Sequence, residues 1–256
     1  SLSLMLPAVL ALLALLAWWY VGRALRPVDD LLGQLDQSLA RQRRFVADAA
    51  HELRSPVTAI RAQVESPHPG SADPTYASRL RDEAARLSTL VDDLLALARL
   101  DAQPVLHMRP LDLDDVVFAE AARLQSVPGL RVDVSGVQAA RVEGDVSLLT
   151  RAVRNLVDNA ARHAAGLISV QLERAGDFAT LVVSDDGPGI PEDQRVSVFE
   201  RFTRLDEARA RDTGGVGLGL AIVADVAAAH GGTAEAQDNR PGARMVLRLP
   251  LPVDRG

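Results

Sequence analysis

Two stretches near the start of the chain carry apolar residues at a spacing of 4-3-4-3-4, and this spacing constrains the fold more than any other feature. The members of the first stretch are Val46, Ala50, Leu53, Val57, Ile60 and Val64, and those of the second are Leu80, Ala84, Leu87, Val91, Leu94 and Ala98. Such a spacing places these residues on one side of an α-helix. Prolines and a glycine between residues 66 and 74 interrupt helical structure. The pattern therefore predicts two antiparallel helices within residues 36–102.

An isolated helical hairpin leaves its apolar stripe in water, so the predicted hairpin needs a partner. Two hairpins that pack against each other form a four-helix bundle, which predicts a homodimer. In the alternative packing, the hairpin covers its stripe with a second domain of its own chain.

The predicted second domain follows Gln103 and Pro104, where short strands and amphipathic helices replace the long helices. Strands are predicted at residues 105–111, 130–134, 139–143, 167–174, 177–184, 233–237 and 243–249. Helices are predicted at residues 112–125, 145–164 and 217–230. Short turns at 176–177 and 238–242 favour a largely antiparallel sheet with helices on one face, so the fold class is α+β, an α/β sandwich.

Residues 1–22 have the composition of a transmembrane helix. Only Ser3 and Pro7 interrupt the apolar run from Leu2 to Tyr20. A helix of that length crosses a hydrocarbon layer of about 30 Å. Arg23 and Arg26 follow at once, which places the rest of the chain on the cytoplasmic side. A signal-peptide core or a buried helix is the alternative, although the charges and cleavage site of a signal peptide are missing.

The composition excludes several kinds of catalytic and binding site, because all 28 basic residues are arginine and the chain has no cysteine. Without lysine there is no Walker-type phosphate loop, no Schiff base and no strand lysine of a eukaryotic-type protein kinase. Without cysteine there is no thiolate zinc site. A net charge of -6 argues against a nucleic-acid partner. Any phosphate bound here must therefore contact arginine, backbone amides and a metal ion.

His51 and Glu52 form the first candidate catalytic pair. His51 lies more than a right angle from the apolar stripe of its helix, so it is predicted to face solvent. An exposed imidazole beside a carboxylate is a candidate nucleophile, and Pro56 bends the helix just beyond it. The alternative is an ordinary solvated pair.

Asn155 and Asn159 are one turn apart on the predicted helix that Asp145 begins. Their carboxamide oxygens suit a magnesium ion beside phosphates, and Arg162 lies near the same face as a phosphate partner. The alternative is that the asparagines only cover a polar surface.

Two glycine-containing segments complete the candidate residues. The first, residues 185–190, reads Asp-Asp-Gly-Pro-Gly-Ile after an apolar strand; a carboxylate there can accept the amino group of a purine, although an ordinary acidic turn is the alternative. The second has glycines at 215, 217 and 219 and opens the last predicted helix, whose free N–H groups suit phosphates. At the end of that helix, His230 is predicted to be a cation that complements the helix dipole.

Together, residues 36–252 resemble the cytoplasmic core of a bacterial two-component sensor histidine kinase. The matching motifs are the H-E-L-R-S-P segment at His51, the N box from Asn155 to His163, the D-x-G-x-G box (Asp185, Gly187, Gly189), the F box from Val198 to Phe202 and the G-x-G-x-G box (Gly215, Gly217, Gly219). All five occur in the order typical of the family.

The resemblance implies a function for each segment. Residues 36–102 would be the dimerisation and phosphotransfer domain, in which His51, assisted by Glu52, is phosphorylated by ATP. Residues 103–256 would be an ATP-binding domain with the Bergerat fold, shared with gyrase, Hsp90 and MutL. A receiver-domain aspartate of a response regulator would then take the phosphoryl group. The chain would be a homodimer in the lipid bilayer of the bacterial inner membrane, with its catalytic part in the cytoplasm.

The resemblance also implies a nucleotide site. Asp185 would accept the adenine amino group, and Asn159 with Asn155 would hold Mg²⁺ against the phosphates. Residues 191–214 would form a lid whose arginines at 201, 204, 209 and 211 are candidates to contact the γ-phosphate. The full implied set is Asn155, Asn159, Arg162, His163, Asp185, Gly187, Gly189, Ile190, Phe199, Arg201, Phe202, Gly215, Gly217, Leu218, Gly219 and Leu220.

Some features depart from the family pattern. Only 22 residues separate Gly22 from Phe45, too few for a HAMP relay, so residues 23–35 are predicted to be a juxtamembrane linker with at most a HAMP remnant. Ser55 stands where related kinases often have Thr or Asn, which weakens the expectation of phosphatase activity, and the chain contains no extracellular sensor domain. Two alternative functions stay open: an ATP-binding module without phosphohistidine, and a degenerate kinase that acts as a scaffold or regulator phosphatase.

Overall fold

The structure is a computed structural model, which describes residues 15–16, 18–20, 46–47, 49–50, 53–54, 57–58, 60–61, 74–101, 106–203 and 216–252. The chain divides into two compact units, Ser1–Ser55 and Pro56–Gly256. In the first unit the described residues are helical. All elements named below belong to the second unit.

The second unit contains one long helix followed by alternating strands and shorter helices. In chain order its elements are α1 (Pro74–Asp101), β1 (Arg109–Asp112), α2 (Leu113–Leu124), β2 (Arg131–Val137), β3 (Arg141–Gly144), α3 (Val146–His163), β4 (Leu167–Ala175), β5 (Phe178–Asp185), two short 3-10 turns (Glu192–Gln194 and Ser197–Phe199), α4 (Gly219–Ala229), β6 (Thr233–Asp238) and β7 (Ala243–Pro250). The strands and helices predicted for the second domain are thus confirmed to within a few residues, and the largest difference is that β1 begins at Arg109.

Five strands form the main sheet, in the order β2-β4-β5-β7-β6, while β1 and β3 pair in a separate two-stranded sheet. The prediction of a largely antiparallel main sheet is confirmed for three of its four pairings. The exception is β2, which runs parallel to β4. The chain passes from β2 to β4 through β3 and α3, and a crossover of this length joins parallel strands.

The core lies between the main sheet and a layer of three helices. Helices α2, α3 and α4 pack against one another in succession, and each also contacts a strand of the main sheet. The centre of β5 is buried at Leu181, Val182 and Val183, and α3 buries Leu149 and Leu156. The predicted two-layer α+β sandwich is therefore confirmed.

Helix α1, the second helix of the predicted hairpin, packs against α4. Leu90, Ala96 and Leu97 are buried, whereas Val91 and Leu95 are exposed. Part of the apolar surface of α1 is therefore covered by its own chain, as the alternative packing predicted, and part remains open.

Most of residues 1–22 lie outside the described part of the chain, and so does much of the predicted first helix of the hairpin. Among the residues that the structure describes, no helix combines the length and the apolar character that a membrane crossing requires.

A buried carboxylate joins α2 to α3. Glu120 is only 4% exposed, and Arg154 donates two hydrogen bonds to it, from Nε to Oε2 and from Nη2 to Oε1, each 2.9 Å long. Arg123 Nη1 also donates to Oε2. Burial alone would raise the pKa of the Glu120 carboxyl, but the two arginines outweigh burial and hold that pKa below its usual range. The ion pair is thereby part of what holds α3 in place.

We expect Glu120→Gln to lower the free energy of unfolding by about 2 kcal/mol at neutral pH, because it leaves two guanidinium groups without their carboxylate. The lowered pKa in the folded state means that this contribution is present above the unfolded pKa and is lost as pH falls through the folded pKa. Urea denaturation followed by circular dichroism at neutral and acidic pH measures both effects. Glu235→Gln is the matched control, since it breaks an exposed pair with Arg248 and should cost less than about 0.5 kcal/mol. Equal losses in the two variants at neutral pH would contradict the prediction.

Candidate functional site

The end of β5 places a buried carboxylate at the centre of the site. Asp185 is 5% exposed, and its Oδ1 accepts hydrogen bonds from the N–H groups of Gly187 at 2.9 Å and Ala243 at 3.2 Å. Within the described part of the chain, Oδ2 accepts no hydrogen bond. Burial raises the pKa of the Asp185 carboxyl despite the two N–H donors. The buried Oδ2 atom is therefore an acceptor that a ligand can satisfy.

The next residue, Asp186, fixes the loop between α3 and β4. Its Oδ1 accepts three backbone N–H groups, from Ala165 at 2.8 Å and from Gly166 and Leu167 at 3.0 Å each. The hydrogen bond from Leu167 and those from the other two amides hold the pKa of Asp186 below its usual range. The sequence carries no signal for this role of Asp186, because an aspartate before glycine is typical of any turn.

Two glycines of the D-x-G-x-G box are required by close backbone contacts. A Cβ at Gly187 would overlap the carbonyl oxygen of His163 at the end of α3. Gly189 has a φ of +80°, and a Cβ there would lie 2.7 Å from the carbonyl oxygen of Gly242. The following Ile190 is half-buried. These contacts hold the loop after β5 between α3 and the β6–β7 turn.

Helix α3 presents the N-box side chains next to the start of α4. Asp145 caps α3 as predicted, by accepting the N–H groups of Ser147 and Leu148. Asn155 Nδ2 donates to the carbonyl oxygen of Gly219 at 3.1 Å, which leaves its Oδ1 for another partner. Asn159 is half-buried, and its side chain makes no hydrogen bond with the described residues. The two carboxamides thus lie on the helix that borders the glycine box.

The end of the N box is more exposed. Arg162 is exposed and His163 half-buried, and both have interaction partners within the protein.

The start of α4 is shaped by the glycine box. Leu218 is buried and stands at the N-cap position, and its own side chain makes no capping hydrogen bond. Gly217 has a φ of +79°, and a Cβ there would lie 2.8 Å from the carbonyl oxygen of Thr203. The carbonyl oxygen of Gly217 accepts the N–H of Phe202 at 2.9 Å, and Phe202 itself has a φ of 62°. The glycine box and the F box are therefore directly joined. Leu220, in the first turn of α4, is half-buried.

Arg201, a predicted phosphate contact, is held by two carboxylates. Its guanidinium donates to Asp101 at 2.8 and 2.7 Å and to Asp225 at 2.8 Å. The hydrogen bonds that the guanidinium donates to Asp101 and Asp225 raise the pKa of Arg201 above its usual value. In this conformation the arginine connects the end of α1 with α4, and nothing in its sequence context signalled those partners. Phe199, in the same box, is half-buried in a 3-10 turn that packs against α4.

His230 joins the end of α4 to the start of α3. Its side chain is buried; Nδ1 lies 2.8 Å from the carbonyl oxygen of Val226, and Nε2 lies 3.0 Å from the backbone nitrogen of Asp145. The predicted position at the end of the last helix is confirmed. The sequence did not signal that the ring would be buried between the two helices.

Several predicted residues lie outside the described part of the chain. They are His51, Glu52, Ser55, Gly215 and the arginines at 204, 209 and 211.

Two parts of the chain match known protein families. Residues 144–253 match the family of histidine kinase-, DNA gyrase B- and HSP90-like ATPases. Residues 41–103 match the His Kinase A phospho-acceptor domain. Together the two models match more than half of the chain, in the order that the motifs predicted. The chain belongs to the family of two-component sensor histidine kinases.

Similar proteins carry matching names. The histidine-protein kinase/phosphatase MprB of Mycolicibacterium smegmatis is 41% identical over 251 residues, covering 90% of this chain and 50% of MprB. The sensor protein RstB of Escherichia coli is 36% identical over 227 residues, covering 87% of this chain and 52% of RstB. The chain thus spans about half the length of these relatives.

A similar fold also occurs in a solved complex. The histidine kinase ThkA in complex with the response regulator TrrA matches with a TM-score of 0.63 and 22% identity, covering 83% of this chain and 63% of that one.

Proposed function

We propose that the chain is the catalytic core of a sensor histidine kinase, which transfers the γ-phosphoryl group of ATP to His51 and then to an aspartate of a response regulator. The observation that supports ATP binding is the environment of the Asp185 carboxylate. Its buried carboxylate has one oxygen held by two backbone N–H groups and a second oxygen with no partner among the described residues. Such an acceptor fits the amino group of adenine, and the close backbone contacts of Gly187 and Gly189 hold the loop beside it.

The phosphates would lie at the start of α4. The N-cap residue Leu218 makes no side-chain capping hydrogen bond among the described residues. The first N–H groups of α4 and the positive end of its dipole would therefore suit an anion. Arg162 at the end of α3 and Arg201 in the F box are the proposed cationic partners of the phosphates. Arg201 would have to leave Asp101 and Asp225 to reach them.

The donor set fits Mg²⁺ that arrives with the nucleotide. Among the described residues no group of three or more His, Cys, Asp or Glu is placed to hold a metal ion. Oxygen ligands would therefore come from Asn155, Asn159 and the phosphates themselves. Asn155 fits this use, since its Nδ2 is occupied by Gly219 and its Oδ1 is not. When bound, the metal would offset the charge of the phosphates.

The proposed transfer has two steps. In the first, a ring nitrogen of His51 attacks the γ-phosphorus, the P–N bond forms and the P–O bond to ADP breaks, while Glu52 orients or accepts the ring proton. In the second, a carboxylate oxygen of the regulator takes the phosphoryl group and His51 is restored. The matched phospho-acceptor domain contains His51, and the ThkA–TrrA complex supports a regulator as partner.

The proposed domain organisation has four parts: a membrane helix at 1–22, a linker at 23–35, the dimerisation and phosphotransfer domain at 36–102 and the ATP-binding domain at 103–256. The apolar run and the exposed Trp18, Trp19 and Tyr20 support a bilayer anchor at the inner membrane, with the catalytic part in the cytoplasm. The exposed Val46 and Val91 of the predicted stripes support a homodimer. Release of the chain from membranes by an alkaline wash, or only monomer after crosslinking in detergent, would refute the anchor or the dimer respectively.

Incubating the membrane-reconstituted chain with Mg²⁺ and ATP labelled at the γ-phosphate tests the proposal. We expect an acid-labile label on the wild type and only background label on His51→Gln, because phosphohistidine is acid-labile and glutamine has no nucleophilic nitrogen of this kind.

His107→Gln is the matched control, since it makes the same substitution at an exposed histidine and should keep the label. ATP binding without any label on the wild type would instead favour an ATP-binding module without phosphohistidine. A label that survives in His51→Gln would place the phosphoacceptor elsewhere.

A second activity, removal of the phosphoryl group from the regulator, is favoured by the kinase/phosphatase name of the M. smegmatis relative. Adding the chain and ADP to a phosphorylated regulator measures it, and an unchanged rate of phosphate loss would refute it.

A further inference from the structure

The turn between β6 and β7 holds the end of β5. Asn239 lies in this turn, and its Nδ2 donates to the main-chain carbonyl oxygen of Asp185 at 2.9 Å and to that of Pro241 at 3.0 Å. Ala243, the first residue of β7 after this turn, donates its N–H to Oδ1 of Asp185 at 3.2 Å. The turn and the residue that follows it therefore contact both the backbone and the side chain of Asp185.

The position of Asp185 explains why these contacts are needed. The pairing between β5 and β7 ends at Ser184 and Arg244, so the carbonyl of Asp185 lies one residue beyond the ladder. The Asn239 amide supplies the donor that a strand partner would otherwise supply. Asn239 is half-buried, and a lost donor there would leave the carbonyl of Asp185 without this bond.

The contacts of Gly187, Ala243 and Asn239 with Asp185 fix the orientation of its carboxylate, including Oδ2. Oδ1 is held by Gly187 on one side and Ala243 on the other, so the carboxylate plane follows the position of the Asp185 backbone. That backbone is held by Asn239 on the β7 side, while Asp186 anchors the same strand end to the α3–β4 loop. The direction of Oδ2 therefore depends on these contacts of Oδ1 and of the Asp185 backbone.

We propose that Asn239 is a positioning residue for base recognition: by fixing the Asp185 backbone, it allows the site to distinguish a purine with a 6-amino group from one without it. The inference rests on the proposed function, in which Asp185 accepts that amino group. Asn239 does not touch the nucleotide in this arrangement; it acts through Asp185.

The test compares two nucleotides on the full chain. Calorimetry measures the Kd of ATP and of purine riboside 5′-triphosphate, which has hydrogen in place of the amino group. The wild type is expected to prefer ATP by about tenfold to a hundredfold, the range for a hydrogen bond to a charged group. Asn239→Ala is expected to weaken ATP binding by about tenfold and to change the Kd of the amino-free nucleotide less than about twofold.

Two further variants separate positioning from a general structural effect. Gln237→Ala removes a side-chain amide from β6 of the same hairpin without touching Asp185, and it should leave both Kd values unchanged. Asn239→Asp keeps the size of the side chain but replaces the donor with an acceptor, so it should lose the preference for ATP at least as completely as Asn239→Ala.

The outcomes distinguish this inference from the proposed function. Equal weakening of both nucleotides in the Asn239 variants, or an undiminished preference for ATP, would overturn the positioning role while leaving Asp185 as the base acceptor. A wild type that binds both nucleotides equally would instead overturn the role proposed for Asp185, and the present inference with it.

Discussion

Asp185→Asn is expected to weaken ATP binding by about 2 to 3 kcal/mol, roughly a hundredfold in Kd. The asparagine oxygen can still accept the N–H groups of Gly187 and Ala243, so its NH₂ group takes the place of Oδ2. A donor would then face the amino group of adenine, which is also a donor. Calorimetric titration of ATP in the presence of Mg²⁺ measures the loss.

The same substitution should not destabilise the nucleotide-free protein. Burial raises the pKa of Asp185 in the folded state, so ionisation of this carboxyl costs folding free energy as pH rises from the unfolded pKa to the folded one. A neutral asparagine avoids that cost at neutral pH. The urea midpoint of the variant should therefore equal or exceed that of the wild type, which separates lost binding from lost folding.

Asp177→Asn is the matched control for Asp185→Asn. It removes the same charge from an exposed residue in the β4–β5 turn, and ATP affinity should stay within about twofold of the wild type. Comparable losses in both variants would attribute the effect to net charge and would refute the role of Asp185.

The elements around this site could be predicted because each has a local signal. Strand β5 was expected at 177–184 and spans Phe178–Asp185, since Gly176 and the glycines after Asp186 limit a continuous apolar run. The cap at Asp145 was predicted from its position before an amphipathic helix, and the structure confirms it. Those signals also placed Asp185 at a strand end.

Polar contacts between distant residues could not be predicted in the same way. Asn239 donates to a carbonyl 54 residues away, and His230 accepts an N–H from a residue 85 positions away. A sequence with Asn, Pro and Gly predicts only a turn, and it does not indicate which group the asparagine side chain will bind. The parallel pairing of β2 with β4 was missed for a related reason, because strand order depends on how α3 packs and not on the pattern within a strand.

Helix α1 was predictable as an element, but its polar contacts were not. The apolar spacing predicted the helix, but not that Asp93 would pair with Arg151 at 2.7 Å or that Asp101 would hold Arg201. From the sequence alone, Asp93 and Asp101 are typical of the solvent-exposed face of a long helix. Only the fold shows that the face meets α3, α4 and the F box.

Gly242→Ala is expected to lower the free energy of unfolding of the second unit by about 3 to 5 kcal/mol. Gly242 has a φ of +104°, and a Cβ there would overlap the main-chain carbonyl oxygen of Asp185. The β6–β7 turn would have to move away from β5, which would also lengthen the hydrogen bonds from Asn239 and Ala243 to Asp185. Hydrogen exchange of the β5 and β7 amides measures the loss in the affected strands.

Gly176→Ala separates steric overlap from backbone strain. Gly176 has a φ of +60° in the β4–β5 turn, and a Cβ there would meet nothing within 4 Å. That variant should therefore cost only about 1 kcal/mol, the penalty for a left-handed residue with a side chain. If both variants cost the same, conformational strain alone explains the glycine at 242, and the close approach to Asp185 contributes nothing. A larger loss for Gly242→Ala, together with weaker ATP binding in the molecules that remain folded, would show that the β6–β7 turn supports both the sheet and the base-binding carboxylate.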